Sequence, residues 1–233
     1  CNPQVQYILD HSEEILQPLR KRGIKVLLGL LGNHDESGLA QLSDLGAREF
    51  AMKLKAICDA YNLDGVNFDD EYSNYPDTDN PLFVNPSSQA GARLMFETKK
   101  LMPERYVTTF QYGSMSGVDY VDGDAAGEWL DIAIANYGGK GYPRQGMTNA
   151  DCSGASIEMA RGGSISVSSA ESVKNSDYGY FMVFALWAAG KQGNQAQFNS
   201  MNNLAQGLYG TPLVKPEYYW PSPLSLETKP LSW

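Results

Sequence analysis

The sequence has few cysteines and no excess of basic residues, and both shortages limit what the protein can be. Its 233 residues include three cysteines, Cys1, Cys58 and Cys152. An odd number at these spacings implies neither a disulfide framework nor a cysteine-based metal site. The formal net charge is -9, which makes the chain a poor partner for nucleic acid or an anionic membrane surface.

Several sequence motifs are also missing. No run approaches the ~20 apolar residues of a membrane span. We find no phosphate-binding loop, no HExxH zinc motif and no Gly-x-Ser-x-Gly elbow, which argues against the nucleotide, zinc-peptidase and serine-hydrolase chemistries that need them. The spacing Gly29-x-x-Gly32 is too weak to count as a nucleotide loop. No cofactor is therefore expected.

Strands alternate with helices along the chain. Helical periodicity predicts helices at 4–20, 44–61, 87–101, 166–176 and 195–209, and short apolar runs predict strands at 24–31, 63–72, 106–112, 130–137, 155–160 and 179–187. This alternation is typical of a parallel sheet wrapped by helices. In the second helix, the side chains expected to face inward are Leu45, Phe50, Leu54, Ile57 and Tyr61, and Cys58 lies on the same face.

Polar and aromatic residues gather just after the predicted strands. They are Asn33, Glu71, Gln111, Tyr137 and Trp187. In a (β/α)8 barrel the active site is built at that end of the strands. An open doubly wound sheet also places its site there but requires the nucleotide loop that is missing.

The most informative stretch is residues 63–72, LDGVNFDDEY. Strand alternation places Asn67, Asp69 and Glu71 on one face. Two carboxylates at i and i+2 lie roughly 6–7 Å apart along a strand, so each disfavours the other's ionisation and one can stay protonated near neutral pH. An acid beside a carboxylate is suited to general acid/base work on an acetal.

An alternative interpretation is an acidic loop, either solvated or binding a cation. A calcium site would be formed by Asp69, Asp70, Asp77 and Asp79. Their spacing lacks the glycine and terminal glutamate of an EF-hand, so this interpretation is the weaker one.

The segment DGVNFDDE at 64–71 resembles the DGxDxDxE signature of glycoside hydrolase family 18. The whole stretch is similar to LDGVDFDDEY of the family's H-type endo-β-N-acetylglucosaminidases, which cut the chitobiose core of N-glycans. The segments GIKVLL at 23–28, LGNH at 31–34 and NYG at 136–138 are also similar to that group. The resemblance is specific over 1–75 and continues collinearly to about 210.

The resemblance implies a (β/α)8 TIM barrel with the signature on its fourth strand. Because the signature lies on the second strand predicted here, two N-terminal βα units are expected to be absent from this chain, leaving two open sheet edges. Residues 1–210 would form the partial barrel, and 211–233 a tail rich in proline and aromatic residues.

The resemblance also implies retaining hydrolysis in which the substrate's own acetamide is the nucleophile, an exception to the two-carboxylate scheme. Glu71 would protonate the departing glycosidic oxygen and later activate water. Asp69 would hold the acetamide, and Tyr137 would hydrogen-bond its carbonyl.

Other residues are given supporting roles. Gln111 is predicted to orient the acetamide, and Trp187 either stacks under the sugar or is a core aromatic. Asn33 and His34 either contact the substrate or cap their loop, and capping is favoured. Asp64, near the strand start, is predicted to be structural.

Asn67 departs from the family, which has aspartate there. That aspartate shares a proton with the residue equivalent to Asp69, whereas an amide donates a hydrogen bond but cannot take up a proton. Removing a negative neighbour lowers the pKa of Asp69 and of Glu71. The hypothesis is an active but slower enzyme with an acid-shifted pH optimum.

The expected partner is an N-linked oligosaccharide or glycoprotein, and the sequence does not give the oligomeric state. Such glycans lie outside a bacterial cytoplasm, so a secreted, periplasmic or cell-surface location is expected. A chitinase shares the signature and stays an alternative. So does a glycan-binding protein without catalysis, although members of that type usually lose the glutamate that this chain keeps as Glu71.

Overall fold

The structure is a computed structural model that describes residues 2–32, 38–75, 79–186 and 195–214. The strands are β1 Leu27–Leu30, β2 Gly65–Phe68, β3 Tyr106–Gln111, β4 Tyr120–Val121, β5 Asp124–Ala125, β6 Ile132–Ala135, β7 Ser153–Glu158 and β8 Tyr180–Phe184. The α-helices are α1 Pro3–Asp10, α2 Ser12–Ile15, α3 Gln17–Lys21, α4 Asp44–Ala60, α5 Ser88–Leu101, α6 Val167–Lys174 and α7 Gln195–Tyr209. Short 3-10 helices span Leu39–Gln41, Gly113–Ser116, Ala126–Glu128 and Asn149–Asp151.

Six strands are parallel and follow one another in chain order. β1, β2, β3 and β6 form one sheet in that order, and β7 pairs with β8. A single parallel bridge, Ala133 to Cys152, links the two groups. This succession of neighbouring parallel strands, separated by helices, is that of a (β/α)8 barrel. The predicted α/β barrel class is confirmed, with six of its eight strands in the described residues.

The helix bounds agree with the sequence prediction except at the start of the chain. α4, α5 and α7 end within one residue of the predicted bounds, and Ser87 Oγ caps α5 by accepting from Ala90 N–H. The prediction of a single helix at 4–20 is wrong. Three short helices occupy this region, and they are separated at His11 and Leu16. Pro18 has no N–H to continue a helical ladder, so a new helix begins around it.

The acidic strand is shorter than predicted. β2 ends at Phe68, and the last ladder bond runs from Asp69 N–H to the Leu30 carbonyl, 3.0 Å. Asp69 and Glu71 therefore lie just beyond the strand rather than within it. The alternation still holds at Asp70, which is buried on the opposite side.

Asp70 anchors this loop to the layer of helices. Its carboxylate accepts from Ala40 N–H at 2.8 Å, from Ser73 Oγ at 2.6 Å and from the Tyr75 hydroxyl. Three donors satisfy a buried carboxylate that would otherwise be costly to desolvate. The loop after β2 is thereby fixed from behind.

Asp64 secures the other end of the strand, as predicted. It accepts from Arg20 Nε at 2.8 Å and from Val26 N–H at 2.9 Å. The Arg20 guanidinium, partly offset by burial, holds the pKa of Asp64 below its ordinary value. The residue ties α3 to the start of β1 and lies far from the carboxyl ends of the strands, so its role is structural.

The main core lies between the first sheet and the pair α4 and α5. Val66, Phe68 and Val107 from the strands and Leu54 from α4 are at most 1% exposed. Cys58 is buried in the same core, as predicted. Leu45 was expected to face inward and is 51% exposed, because the buried row of α4 runs through Ala47, Ala51, Leu54 and Cys58.

The two leucines of α4 provide a matched test of this packing. Leu54→Ala is expected to lower the free energy of unfolding by about 2–5 kcal/mol, since a buried leucine leaves a cavity. Leu45→Ala, the same chemical change on the exposed side, is expected to stay within about 0.5 kcal/mol. Urea denaturation of the two variants measures this, and equal losses would contradict the assigned face.

Candidate active site

Asn67 and Asp69 project from one face of the sheet, at the carboxyl end of β2. Asn67 pairs in register with Thr108 of the neighbouring strand, and the next inward position of β3 is Phe110. The site therefore forms where parallel strands end, as it does in barrel enzymes. Asn67, Asp69 and Glu71, which were predicted to lie together, are neighbours at this end of β2.

Asp69 is the most perturbed carboxyl of the site. Its Oδ1 atom is buried and has no hydrogen-bond partner among the described residues. Burial, followed by the charges of Glu71 and Asp70, raises its pKa to about 7. With a pKa of about 7, the Asp69 carboxyl is partly protonated and partly ionised near neutral pH, and which carboxyl of the pair holds the proton during the reaction stays a prediction.

Glu71 lies nearer the surface than Asp69. Burial raises its pKa, while the positive charge of Arg161 lowers it in part. A carboxyl whose pKa is raised keeps its proton to higher pH than an exposed glutamate does, which suits it to general acid/base work. The two carboxyls therefore differ in access, with Asp69 in the interior and Glu71 at the opening.

Tyr137 lies within the electrostatic reach of both carboxyls. Burial and then the charges of Glu158, Glu71 and Asp69 raise its pKa to about 12. Its hydroxyl therefore stays protonated at neutral pH and is available as a hydrogen-bond donor.

A row of aromatic rings crosses the ends of β3, β6 and β8. The Tyr137 ring lies 5.6 Å from Phe110 and 5.7 Å from Phe184 between centroids, and Phe110 lies 6.2 Å from Tyr112. Phe110 is buried, whereas Tyr112, Tyr137 and Phe184 are exposed. Exposed rings beside an acid/base pair offer a stacking surface for the apolar face of a sugar. Phe184 was missed from sequence.

Gln111 ends β3, as predicted, and makes contacts that the sequence did not predict. It follows Phe110 and so lies on the opposite face of β3, at 6% exposure. Its amide donates to the Tyr142 carbonyl at 2.9 Å and accepts from Tyr142 N–H at 3.0 Å. These contacts hold the loop after β6, where the exposed Tyr142 ring packs under Arg144. The role of Gln111 in orienting the acetamide stays a prediction.

Three predicted residues, Asn33, His34 and Trp187, lie outside the described residues, and their roles stay predictions. Asp77 of the alternative calcium site also lies outside them. Within the described ranges, no group of three or more His, Cys, Asp or Glu side chains has the geometry of a metal site. No described helix is long and apolar enough to cross a membrane.

A charged pair at the end of β7 was not predicted. Arg161 Nε lies 3.4 Å from Glu158 Oε1; the charge of Arg161 lowers the pKa of both Glu71 and Tyr137 in part, and that of Glu158 raises the pKa of Tyr137. The only sequence signal was an acidic residue near the end of a weak strand. Because Glu158 lies near the end of a predicted strand, as the other polar residues do, its position could have identified it as a candidate site residue.

Comparison with known proteins places these features in context. No protein-family model matches the sequence. Endo-β-N-acetylglucosaminidase F1 of Elizabethkingia meningoseptica is 41% identical over 219 residues, 91% of this chain and 64% of that protein. An endo-β-N-acetylglucosaminidase of Flavobacterium sp. (strain SK1022) is 31% identical over 191 residues, 79% of this chain and 59% of that protein.

A solved structure shares the fold as well. Bacteroides thetaiotamicron EndoBT-3987 in complex with Man9GlcNAc2Asn substrate superposes with a TM-score of 0.84 at 51% identity, over 93% of this chain and 54% of that one. The chain thus spans less than two thirds of the length of these relatives. Over the part that it spans, it is similar to them in sequence and in fold.

The neighbouring Asp69 and Asp70 provide a test of the site's electrostatics. Since the folded-state pKa of Asp69 is raised, the stability that its protonated form contributes is lost as pH rises from about 4 towards about 7. Asp69→Asn is therefore expected to raise the denaturation midpoint at pH 8, and the gain should shrink towards pH 4.

Asp70→Asn is the matched control and should lower the midpoint at pH 8, because its carboxylate is satisfied by three donors. Chemical denaturation at several pH values measures both variants. A gain from Asp70→Asn together with a loss from Asp69→Asn would contradict this assignment of the two carboxylates.

Proposed function

Because the chain is similar in sequence and in fold to endo-β-N-acetylglucosaminidases, we propose that the protein hydrolyses the β-1,4 bond between the two GlcNAc residues of the N-glycan chitobiose core. The observation that carries this proposal is the pairing of the Asp69 carboxyl, whose buried Oδ1 has no hydrogen-bond partner in the described part of the chain, with the more accessible Glu71. The structures of EndoBT-3987 hold Man9GlcNAc2Asn substrate in one case and Man5GlcNAc product in the other, which supports this substrate class.

The first step uses both carboxyls. Glu71 donates its proton to the glycosidic oxygen as the bond from that oxygen to C1 breaks. The acetamide oxygen of the GlcNAc that carries this C1 attacks it, so a cyclic oxazolinium forms and no covalent bond to the protein is needed. Ionised Asp69 accepts a hydrogen bond from the acetamide N–H and stabilises the positive charge that develops there.

The second step reverses the role of Glu71. The glutamate, now ionised, takes a proton from a water molecule as the water oxygen attacks C1 and the oxazolinium opens. Two displacements at C1 give a product with retained configuration. The Tyr137 hydroxyl donates to the acetamide carbonyl, and the exposed aromatic row supports the sugar from below.

The finer assignments are part of the same proposal. The stretch LDGVNFDDEY supports membership of glycoside hydrolase family 18 and of its H-type subgroup. The partner is an N-linked oligosaccharide or glycoprotein. Such a substrate supports a secreted, periplasmic or cell-surface location, since N-glycans reach bacteria from outside the cytoplasm.

Replacement of the acid tests the reaction. In the full-length protein, Glu71→Gln is expected to lower turnover of a high-mannose glycopeptide by about 10²–10⁴-fold, the range for loss of a general acid/base. Glu158→Gln, which removes a nearby charge at the end of β7, is expected to cost much less. Mass spectrometry of the released glycan measures both.

Three results would contradict the proposal in different ways. Equal loss in the two variants would remove the special role of Glu71. Glycan binding without turnover, unchanged by Glu71→Gln, would indicate a binding protein. Turnover of chitin oligosaccharides but not of the glycopeptide would indicate a chitinase.

Asn67→Asp tests the departure from the family motif. A carboxyl at position 67 can share a proton with Asp69 and adds a negative neighbour, which raises the pKa of Asp69. The variant is expected to hydrolyse the glycopeptide faster, and its pH optimum should lie higher than that of the unmodified protein. A pH–rate profile measures both effects. If the variant is no faster and its pH optimum does not move, this account of Asn67 is contradicted.

A further inference from the structure

Gly32, just after β1, packs without a side chain against the loop that carries Glu71. In the register of β1 and β2, Leu30 lies opposite Phe68, so the two chains are still neighbours where they leave the sheet. Gly32 is buried there. A Cβ atom at Gly32 would overlap the Glu71 carbonyl oxygen and the Ser73 hydroxyl, and it would lie 3.1 Å from Ser73 Cβ. Only a residue without a side chain therefore leaves room for the loop in this position.

The loop is also held against Gly32 from its other side. Ser73 Oγ donates to Asp70 Oδ1 at 2.6 Å, and Asp70 is buried. Between these two residues, Tyr72 has a φ of 59°. This left-handed conformation is uncommon for a residue with a side chain and persists where the surrounding structure fixes it. The backbone on both sides of Glu71 is thus confined, and the loop has little freedom to move away from Gly32.

Asp69 is fixed by a different contact. Its N–H donates to the Leu30 carbonyl at 3.0 Å, in the last ladder bond between β1 and β2. The three atoms nearest to a Cβ at Gly32 belong instead to Glu71 and Ser73. A change at Gly32 should therefore displace Glu71 while the ladder keeps Asp69 in place.

We propose that Gly32 is a positioning residue, whose missing side chain lets the loop after β2 pack closely on the end of β1 and so sets where the Glu71 carboxyl lies relative to Asp69. Gly32 acts through the backbone of Glu71 and need not touch the substrate. The expected effect on turnover rests on the proposed function, in which Glu71 is the general acid. The expected effect on the position of Glu71 does not.

Gly32→Ala in the full-length protein tests the effect on the acid. Because a displacement of about 1 Å costs on the order of 10²-fold, kcat/KM for a high-mannose glycopeptide is expected to fall about 10- to 100-fold. The second substrate is a high-mannose glycan joined through a single GlcNAc to p-nitrophenol. Its leaving oxygen needs little protonation, since p-nitrophenolate is a stable anion, so the loss should be much smaller. Equal losses on the two substrates, or no loss, would overturn the proposal.

Gly179 provides a matched control for lost stability. It lies just before β8, and a Cβ atom there would overlap the Ala150 carbonyl oxygen. Gly179→Ala thus creates the same kind of conflict with a backbone carbonyl, but at the amino ends of the strands. It should lower the midpoint of chemical denaturation, as Gly32→Ala does, and leave the ratio of kcat/KM for the two substrates unchanged. A changed ratio in Gly179→Ala would show that lost stability is sufficient and would overturn the proposal.

Ser73→Ala separates the two contacts of Gly32. It removes the hydroxyl that a new Cβ would meet and leaves the Glu71 carbonyl in place, so the double variant also has less conflict to accommodate when it folds. In this background, Gly32→Ala should still lower kcat/KM for the glycopeptide by about 10- to 100-fold, because the conflict with Glu71 remains. No further loss relative to Ser73→Ala alone would show that Gly32 acts only through Ser73, and would overturn the proposal.

Crystal structures give a readout that does not require turnover. The distance between the Glu71 and Asp69 carboxyls should differ by about 1 Å between Gly32→Ala and the unmodified protein, and should be the same in Gly179→Ala. A changed distance in a protein that hydrolyses neither substrate would support the positioning and reject the proposed function. An unchanged distance in Gly32→Ala would overturn the positioning whatever the activity.

Discussion

Parallel pairing of neighbouring strands in chain order is the constraint on which the rest of this structure depends. Because β1, β2, β3 and β6 run in one direction, the residues that follow them meet at one edge. Asp69 is placed by the final ladder bond between β1 and β2, and Tyr137 arrives there at the end of β6. The sheet therefore brings Tyr137 to the Asp69–Glu71 pair, although the two segments are distant in sequence.

Two adjacent aspartates show how the same segment serves structure and chemistry. Asp70 faces the helices and is satisfied by three donors, so it holds the loop in place. Asp69 lies on the opposite face, where its Oδ1 has no hydrogen-bond partner among the residues that the structure describes, and burial beside two other acids raises its pKa to about 7. An unsatisfied buried carboxyl opposes stability and is typical of a functional site. Because the hydrogen bonds of Asp70 hold the loop, the loop can keep the destabilising Asp69 carboxyl beside it.

Sequence patterns predicted what depends on periodicity and missed what depends on tertiary contacts. The bounds of α4, α5 and α7 follow from helical spacing and from a serine cap, and these were predicted closely. The face of Gln111 depends on its contact with the Tyr142 backbone, and the placement of Arg161 depends on a turn after β7. The hairpin of β4 and β5 was missed, although Asp122 and Gly123, both with positive φ, are a familiar hairpin signal. The family signature located Asp69 and Glu71, whereas only the structure shows how differently the two are buried.

The configuration of the first product tests the central claim most directly, because two displacements at C1 through the acetamide retain the configuration, whereas direct attack by water with a second carboxylate as base inverts it. Proton NMR during early hydrolysis of a high-mannose glycopeptide by the full-length protein follows the anomeric signal of the newly released reducing-end GlcNAc. The account predicts that the β anomer appears first and then equilibrates with α. Initial release of the α anomer would show direct attack by water and would contradict the roles given to Asp69 and the acetamide.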